Sequence, residues 1–539
     1  MIDRFNHRSE HPFCTRRCSD RKSFVKTLLV RFDEAGNLRP EKRKACIPAQ
    51  PNGRCVLPAA ALLMALLVGG CTVGPDYQKP QPAMPAEWSA AVDNDAFKGT
   101  LEIVRWWDTF GDPQLQDLVT RAVSANKDLK MAEARVRAAR ALWRAAGTGA
   151  WPTVDVAGSY KGVRQSENAP SAKGQEWDLF QAGFDAGWEI DLFGGTRRAV
   201  EAAQARVEAS EENRRDVLVT LVAEVATNYV TVRGSQRRLA IALENIGTQN
   251  NTVALTLGRF EAGLGNKLDV VQSQALLAST EAKVPVIEAS IRQAIHRLGV
   301  LLGLEPEALL KELLSPMDIP HVPPEVPVGL PSDLLRRRPD IRGAERQLAA
   351  ATANIGVATA DLFPHFSLSG LVGLQSTAAS DLFTSPSRFW TFGPTVRWPV
   401  FDAGKVRAAI QVETARQEEA LAFYEKAVLT ALEEVESAMV AYAKGRAENE
   451  ALMRAVEATR QSADIAFELY QKGLVDFLNV LQSQLALYQV QDQFVQSRQH
   501  VSTSLVVLFK ALGGGWEVEP PGATAPASPG AIAATSGKK

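Results

Sequence analysis

Cysteine is scarce in this 539-residue chain and confined to its start: Cys14, Cys18, Cys46, Cys55 and Cys71, with none afterwards. A body without thiols beyond Cys71 cannot be a disulfide scaffold, nor a cysteine-ligated metal domain. Cys14, Cys18 and Cys46 have no His or fourth Cys at a usual metal spacing. The six histidines, His7, His11, His296, His321, His365 and His500, are scattered, and no Ser/His/Asp, Cys/His or metal-ligand cluster accompanies them. A phosphate-cradling glycine loop is absent too. These absences point away from an enzyme and from a cofactor. Strong net charge is missing as well, at −1 overall. Residues 1–55 carry 13 Lys plus Arg against 6 Asp plus Glu, which leaves the remainder mildly acidic and without a nucleic-acid footprint. Long hydrophobic runs are lacking: the apolar stretch VLPAAALLMALLVGGC, Val56 to Cys71, falls short of the roughly 20 residues a membrane-spanning helix needs.

That short run ends in small residues and one cysteine after an Arg-rich stretch, which resembles a lipoprotein signal peptide with Val68-Gly69-Gly70-Cys71 as its lipobox. The competing reading is a buried alanine-rich helix. The proline-broken CTVGPDYQKPQPAMPAEW that follows suits a tether between a lipid-bearing Cys71 and a folded body. Residues 1–70 are therefore expected to be leader and signal peptide, with the long stretch before the apolar run read as an upstream-misplaced start, and 71–105 the lipid-anchored tether. EVEPPGATAPASPGAIAATSGKK has the composition of a disordered tail, 517–539.

Between these ends the chain repeats itself at an offset of about 210 residues. FEAGLGNKLDVVQSQALL from Phe260 matches YQKGLVDFLNVLQSQLAL from Tyr470 at eight of eighteen positions, and Trp151-Pro152 aligns with Phe363-Pro364. Each half reads as helix, two strands, a very long helix and a further helix. The halves span 106–315 and 332–516, joined by a proline-rich linker at 316–331. Proline is absent from Thr196 to Ala262 and from Lys405 to Lys472, so each stretch is predicted to be one helix on the order of 100 Å long. Leu218, Val222, Val225, Tyr229 and Val232 recur at steps of four and three, and Val428, Leu432, Val435, Met439 and Tyr442 repeat them in the second half. This is coiled-coil spacing.

The strands alternate. In FQAGFDAGWEIDLFGG, Phe180, Ala182, Phe184, Ala186, Trp188, Ile190 and Leu192 fall on one face, and Gln181, Asp185, Glu189 and Asp191 on the other. Similar patterns occupy Val154 to Lys161, His365 to Gly373, and Trp390 to Val400, where Trp390, Phe392 and Trp398 alternate with Thr391, Gly393 and Arg397. Strands of this length, apolar on one side only, match transmembrane β-barrel segments, with Trp177, Trp188, Trp390 and Trp398 as interfacial aromatics. Phe184, Trp188, Trp390, Phe392 and Trp398 are expected to face lipid; Asp185, Glu189 and Arg397 are expected to face a water-filled lumen. Four strands leave open edges, which hydrocarbon does not tolerate, so further copies must complete the sheet. A soluble hairpin pair lying on helices is the competing reading.

CTVGPDYQKP, WWDTFGDPQLQDLV, WEIDLFGGTRRAVEAA, RFEAGLGNKLDVVQSQ and LPSDLLRRRPDIRGAERQLAAATANIGVATADLFPHFSLSG together resemble the outer-membrane factor family of TolC-like efflux channels, in its OprM-like, NodT-type lipoprotein branch. The resemblance implies a mainly α fold with a transmembrane β part. Three chains would form one twelve-stranded β-barrel in the outer membrane, continued through the periplasm as an α-helical tunnel. It further implies a passive exit for drugs, toxic compounds or metals, served by a periplasmic adaptor (a membrane fusion protein) and an inner-membrane pump of the RND type. No enzymatic chemistry, cofactor or bound metal is implied. Export of proteins through a type I secretion system uses a similar pore and stays open. A periplasmic coiled-coil adaptor would lack paired amphipathic strands, and an outer-membrane enzyme would need a convergent polar site.

Two turns occupy equivalent places in the repeat: Gly263-Leu264-Gly265-Asn266 and Gly473-Leu474-Val475-Asp476. Glycine at the first position suits the left-handed residue that ends a helix; Asn266 and Asp476 suit the cap of the next. By resemblance these turns form the periplasmic tip, where the adaptor docks and the resting channel narrows. A ring of Asp476 carboxylates would then select cations.

Overall fold

The computed structural model describes residues 72–89, 104–168, 174–323, 326 and 328–517. The expectations for residues 1–70, for Cys71 and for the tail beyond residue 517 fall outside the described residues. Within them, α1 (Pro113–Ala125) and α2 (Lys127–Thr148) lead into strands β1 (Thr153–Arg164) and β2 (Glu176–Ile190), and then into α3 (Gly195–Glu261). Helices α4 (Lys267–Glu281) and α5 (Val284–Leu301) complete the first half. The second half comprises α6 (Pro339–Ala360), β3 (His365–Ser376), β4 (Arg388–Arg397), α7 (Lys405–Gln471) and α8 (Phe477–Ala511). The two long helices have 67 residues each, matching the proline-free stretches to within a residue at each end.

The halves differ in one respect that the repeat did not announce. The single further helix expected after α3 is broken into α4 and α5 at Ala282 and Lys283, whereas α8 runs unbroken for 35 residues. Pro285 is the cause: it has no N–H to donate and sits in the first turn of α5, a position that tolerates proline.

Both heptad stripes lie inside. Leu218, Val222, Val225, Tyr229 and Val232 are buried, as are Val428, Val435, Met439 and Tyr442, with Leu432 partly so, in one apolar core shared by α1, α3, α5, α7 and α8. Each such side chain contributes about 1.5–3 kcal/mol by leaving water. The proline-rich linker is part of this core: Ile319, Val326 and Val328 are buried, and the Pro323 carbonyl accepts from the Tyr442 hydroxyl at 3.1 Å. Burial pushes the Tyr229 hydroxyl up from its ordinary value, and its bond to Asp112 at 2.6 Å acts in the same direction. That bond ties the start of α1 to the middle of α3. The extended segment 72–89 is strapped down along the helices. Arg198 on α3 holds the Val73 carbonyl at 3.1 Å and Asp76 at 2.6 Å; Tyr77 donates to Glu345 at 2.8 Å, and Trp88 donates to the Gly329 carbonyl at 3.0 Å.

The strands form one antiparallel sheet in the order β1-β2-β3-β4, so β1 and β4 are its edges. Strand β2 ends at Ile190 rather than Leu192, because the Asp191 carboxylate turns away to accept the Arg197 backbone amide at 3.0 Å as α3 begins. Strand β4 ends at Arg397, before Pro399, which has no N–H for a ladder; Trp398 therefore lies just beyond the sheet, and Val400 further on.

Candidate functional site

Cross-strand register decides which side chains share a face. Val156 pairs with Phe184, Phe184 with Val372, and Val372 with Trp390, giving an apolar row across all four strands. Phe392, opposite Gly370, and Trp188, opposite Leu368, lie on the same face. Phe184 and Trp390 are 55% and 78% exposed in the isolated chain, far from the burial such side chains find in a helical platform. On the opposite face Asp155 stands directly across from Asp185, and Glu189 reaches His365, whose own cross-strand partner is Arg397. Two carboxylates face to face are repulsive unless water solvates them.

Two indoles tie the base of the sheet to the helices. Trp188 donates to the Ala150 carbonyl at 3.1 Å and Trp398 to the Leu362 carbonyl at 3.0 Å, equivalent contacts in the two halves. Phe193 stacks on Phe363 beside them, with ring centroids 4.6 Å apart. Trp177 departs from expectation. It pairs with Val163 and, counting along β2, lies on the face of Asp185, not with Trp188 and Phe184. An aromatic girdle read from composition ignored that parity.

At the far end of the long helices the two turns are nearly identical. Gly263 and Gly473 both have φ of +73°, and each turn closes with the same bond: Leu264 N–H to the Arg259 carbonyl at 2.8 Å in the first, and Leu474 N–H to the Leu469 carbonyl at 2.9 Å in the second. A Cβ at Gly263 would meet nothing within 4 Å, so backbone conformation alone requires glycine there. Asn266 caps α4 as expected, accepting the Asp269 amide at 3.0 Å. Asp476 does not cap α8 with its side chain. The Asn479 amide turns instead to the Asp476 backbone carbonyl at 3.2 Å, which leaves that carboxylate exposed at the turn. Leu264 and Leu474 are exposed and Val475 half-buried.

Arg259, to which sequence reading assigned no role, joins the two turns. Its guanidinium donates to the Tyr470 and Gln471 carbonyls at 3.2 and 3.3 Å, at the C-terminus of α7, and lies 4.8 Å from the centroid of the Tyr470 ring. Tyr470, Phe477 and Val480 form a small apolar cluster beneath it, with Leu255, Phe467 and Val475 packed around. A cation in the last turn of a helix is a sequence signal for carbonyl capping. That the carbonyls belong to the other repeat is visible only in three dimensions. Among the described residues no helix is long and apolar enough to cross a membrane, and no group of three or more His, Cys, Asp or Glu side chains gathers as a metal site.

The family model described as outer membrane efflux protein matches residues 118–304 and 330–514. The solvent efflux pump outer membrane protein SrpC of Pseudomonas putida is 33% identical over 474 residues, covering 86% of this chain and 98% of the relative. The pyoverdine export outer membrane protein OpmQ of Pseudomonas aeruginosa is 35% identical over 460 residues, covering 84% and 95%. Among solved structures, the outer-membrane channel OprN superposes with a TM-score of 0.79 at 40% identity, covering 83% of this chain and all of the other. A sheet with one apolar face and two long proline-free helices thus stands in a chain that matches such proteins over nearly their whole length, and the chain belongs to the outer membrane efflux protein family.

Proposed function

We propose that the protein is the outer-membrane channel of a tripartite efflux system, a passive exit for small molecules delivered by an inner-membrane pump through a periplasmic adaptor. The observation that carries this reading is the two-faced sheet with unpaired edges β1 and β4, set on helices of about 100 Å. A lipid-facing sheet cannot keep open edges, so β1 of one copy pairs with β4 of the next. Three chains supply twelve strands, enough to enclose water, whereas eight would be filled by side chains. The apolar row through Phe184 and Trp390 faces lipid, and Asp185, Glu189 and Arg397 line the lumen. The chain performs no catalysis in this role. Relatives named for solvent efflux and for pyoverdine export differ in cargo, in keeping with selection by the pump rather than by the pore.

The test is direct. Purified full-length protein is expected to run as a trimer by native mass measurement in mild detergent and to conduct ions in planar bilayers. A stable monomer, or a trimer that never conducts, would defeat the channel reading.

Lipid on Cys71 belongs to the same reading. Thr72, its neighbour in sequence, packs on Gly194 where β2 gives way to α3, at the base of the sheet, so acyl chains there meet the membrane at the level of the strands. Palmitate label is expected in the wild type and not in Cys71→Ser; an unlabelled wild type would rule the anchor out.

The two turns are the periplasmic tip, and Gly263, Leu264, Asn266, Gly473, Leu474, Val475 and Asp476 form its surface toward the adaptor. Because Asp476 makes no side-chain cap bond, Asp476→Asn is expected to leave thermal stability unchanged while lowering cation preference in bilayers. Reversal potentials identical to wild type in a salt gradient would remove Asp476 from the pore.

A further inference from the structure

The chain passes from sheet to long helix twice, and the two passages are covered differently. Gly194 (φ +82°) precedes α3 and Gly404 (φ +89°) precedes α7, at equivalent places in the repeat. At the first, the extended segment lies on the turn: the Val73 amide donates to the Phe193 carbonyl at 3.1 Å, and a Cβ on Gly194 would meet Thr72 Cγ2 at 2.5 Å. At the second, a Cβ on Gly404 would meet nothing within 4 Å. Arg198, which clamps the extended segment, has Ala408 as its counterpart. Phe193 is covered by Phe363, whereas Val400 and Phe401, just before Gly404, are 81% and 89% exposed, with Trp398 exposed beside them. Lys405 and Arg407 follow in the first turns of α7, both exposed, and neither forms a salt bridge or side-chain hydrogen bond among the described residues. Asp402, the acidic residue of the same turn, is engaged by the Gly404 and Val406 amides at 2.9 and 2.8 Å. Cations at the start of a helix oppose its dipole, so α7 itself gains nothing from them.

We infer that each turn at Gly404 holds one anionic phospholipid of the periplasmic leaflet, with its phosphate among Lys405, Arg407 and Arg144 of the next copy and its acyl chains along Trp398, Val400 and Phe401. The inference rests on the reading of the chain as a trimeric channel. The end of α6 covers the first turn, through Phe363 on Phe193 and Ala360 beside Gly195, so by the repeat the end of α2 in the next copy stands at the second, with Trp151 in the place of Phe363. The two ends differ where the extended segment runs. Gly74 lies directly against Gly356 of α6, since a Cβ on Gly74 would meet the Gly356 Cα at 2.4 Å; the counterpart of Gly356 is Arg144, exposed like Trp151. An arginine in that place leaves no path for a second strap and adds a third cation. The depth is right for a lipid headgroup, because Trp398 bonds to the helices at the base of the sheet, the level to which Thr72 brings Cys71. An exposed apolar stretch alone could be sealed by protein. Three cations gathered beside it at that depth fit a ligand with a phosphate and a hydrocarbon tail. The six passages around the trimer are then closed alternately by the chain's own lipid-bearing segment and by a free lipid.

The experiment uses the full-length protein in mild detergent, incubated with phosphatidylglycerol or with phosphatidylcholine and read by native mass spectrometry. Wild-type trimer is expected to retain phosphatidylglycerol at one molecule per chain and phosphatidylcholine about tenfold more weakly. Lys405→Gln with Arg407→Gln is expected to weaken phosphatidylglycerol retention by about thirtyfold, and Arg144→Gln, from the other side of the groove, by about fivefold, since each cation beside an anionic headgroup is worth about fivefold. Lys444→Gln with Lys472→Gln removes the same charge far down α7 and is expected to change nothing. Equal retention of the two lipids by wild type, or undiminished phosphatidylglycerol retention in any groove variant that assembles as a trimer, would overturn the lipid groove and leave the channel standing. A loss from the Lys444 and Lys472 pair as large as that from Lys405 and Arg407 would reduce the binding to net charge and overturn it equally. A wild type that forms no trimer would instead overturn the channel reading.

Discussion

Phe184→Arg is expected to abolish assembly in the outer membrane, while Asp185→Arg, one residue along, assembles as well as wild type. The two positions are neighbours in β2 and differ only in face. Phe184 sits in the row Val156, Phe184, Val372, Trp390, and a guanidinium there is forced toward hydrocarbon at about 2–4 kcal/mol near the midplane. A trimer carries that cost three times, which is comparable with the whole stability of an ordinary domain. Asp185 lies opposite Asp155, so arginine at 185 replaces a like-charge pair by an opposite-charge pair on the wet face. Membrane fractionation followed by electrophoresis of unboiled samples separates assembled trimer from monomer. Equal trimer yield from the two variants would mean that the faces have been assigned the wrong way round or that neither meets lipid.

Arg259→Gln is expected to raise the open-state occupancy of the resting channel by roughly thirtyfold, which corresponds to the loss of about 2 kcal/mol of closed-state stabilisation. Hydrogen bonds from a charged donor are worth about 1.5–3 kcal/mol, and Arg259 makes two, to the Tyr470 and Gln471 carbonyls. Its position at the C-terminal end of α7 adds a favourable interaction with the helix dipole, and its place over the Tyr470 ring adds a cation–π contact. Arg259→Lys keeps the charge and loses the fork, so an intermediate effect is expected. Single-channel recording at low voltage reads the occupancy. If Arg259→Gln opens no more often than wild type, the bond between the two turns belongs to folding and not to closure.

The helices were legible for a local reason. The heptad stripes from Leu218 to Val232 and from Val428 to Tyr442, with the lack of proline from 196 to 262 and from 405 to 472, leave the backbone little alternative, and the 67-residue helices follow. The break at Ala282 was legible in principle from Pro285, which has no counterpart in the unbroken α8. The strands were legible because a period of two is a property of the chain itself, and Phe184 and Asp185 were assigned to opposite faces without any partner strand. Trp177 was legible by the same count: its indole suggested a girdle, but the parity of β2, borne out by its pairing with Val163, puts it on the face of Asp185.

Sequence by itself therefore determined the elements, their duplication and the chemistry of the turns, because helix period, strand period and the left-handed glycines Gly263 and Gly473 depend on residues a few positions apart. Tertiary structure alone decided what those elements meet. Asn266 and Asp476 look alike as caps, yet only Asn266 accepts an amide, because the first turn of α8 bends its Asn479 amide to a backbone carbonyl instead. Arg259 lies 211 positions from Tyr470 in sequence and meets its carbonyl in space. Gln249 reads as one more surface glutamine until α7 and α8 close over it. For Arg259 and Gln249 the deciding groups lie on another helix, and no spacing along one chain segment encodes which groups two packed helices bring face to face.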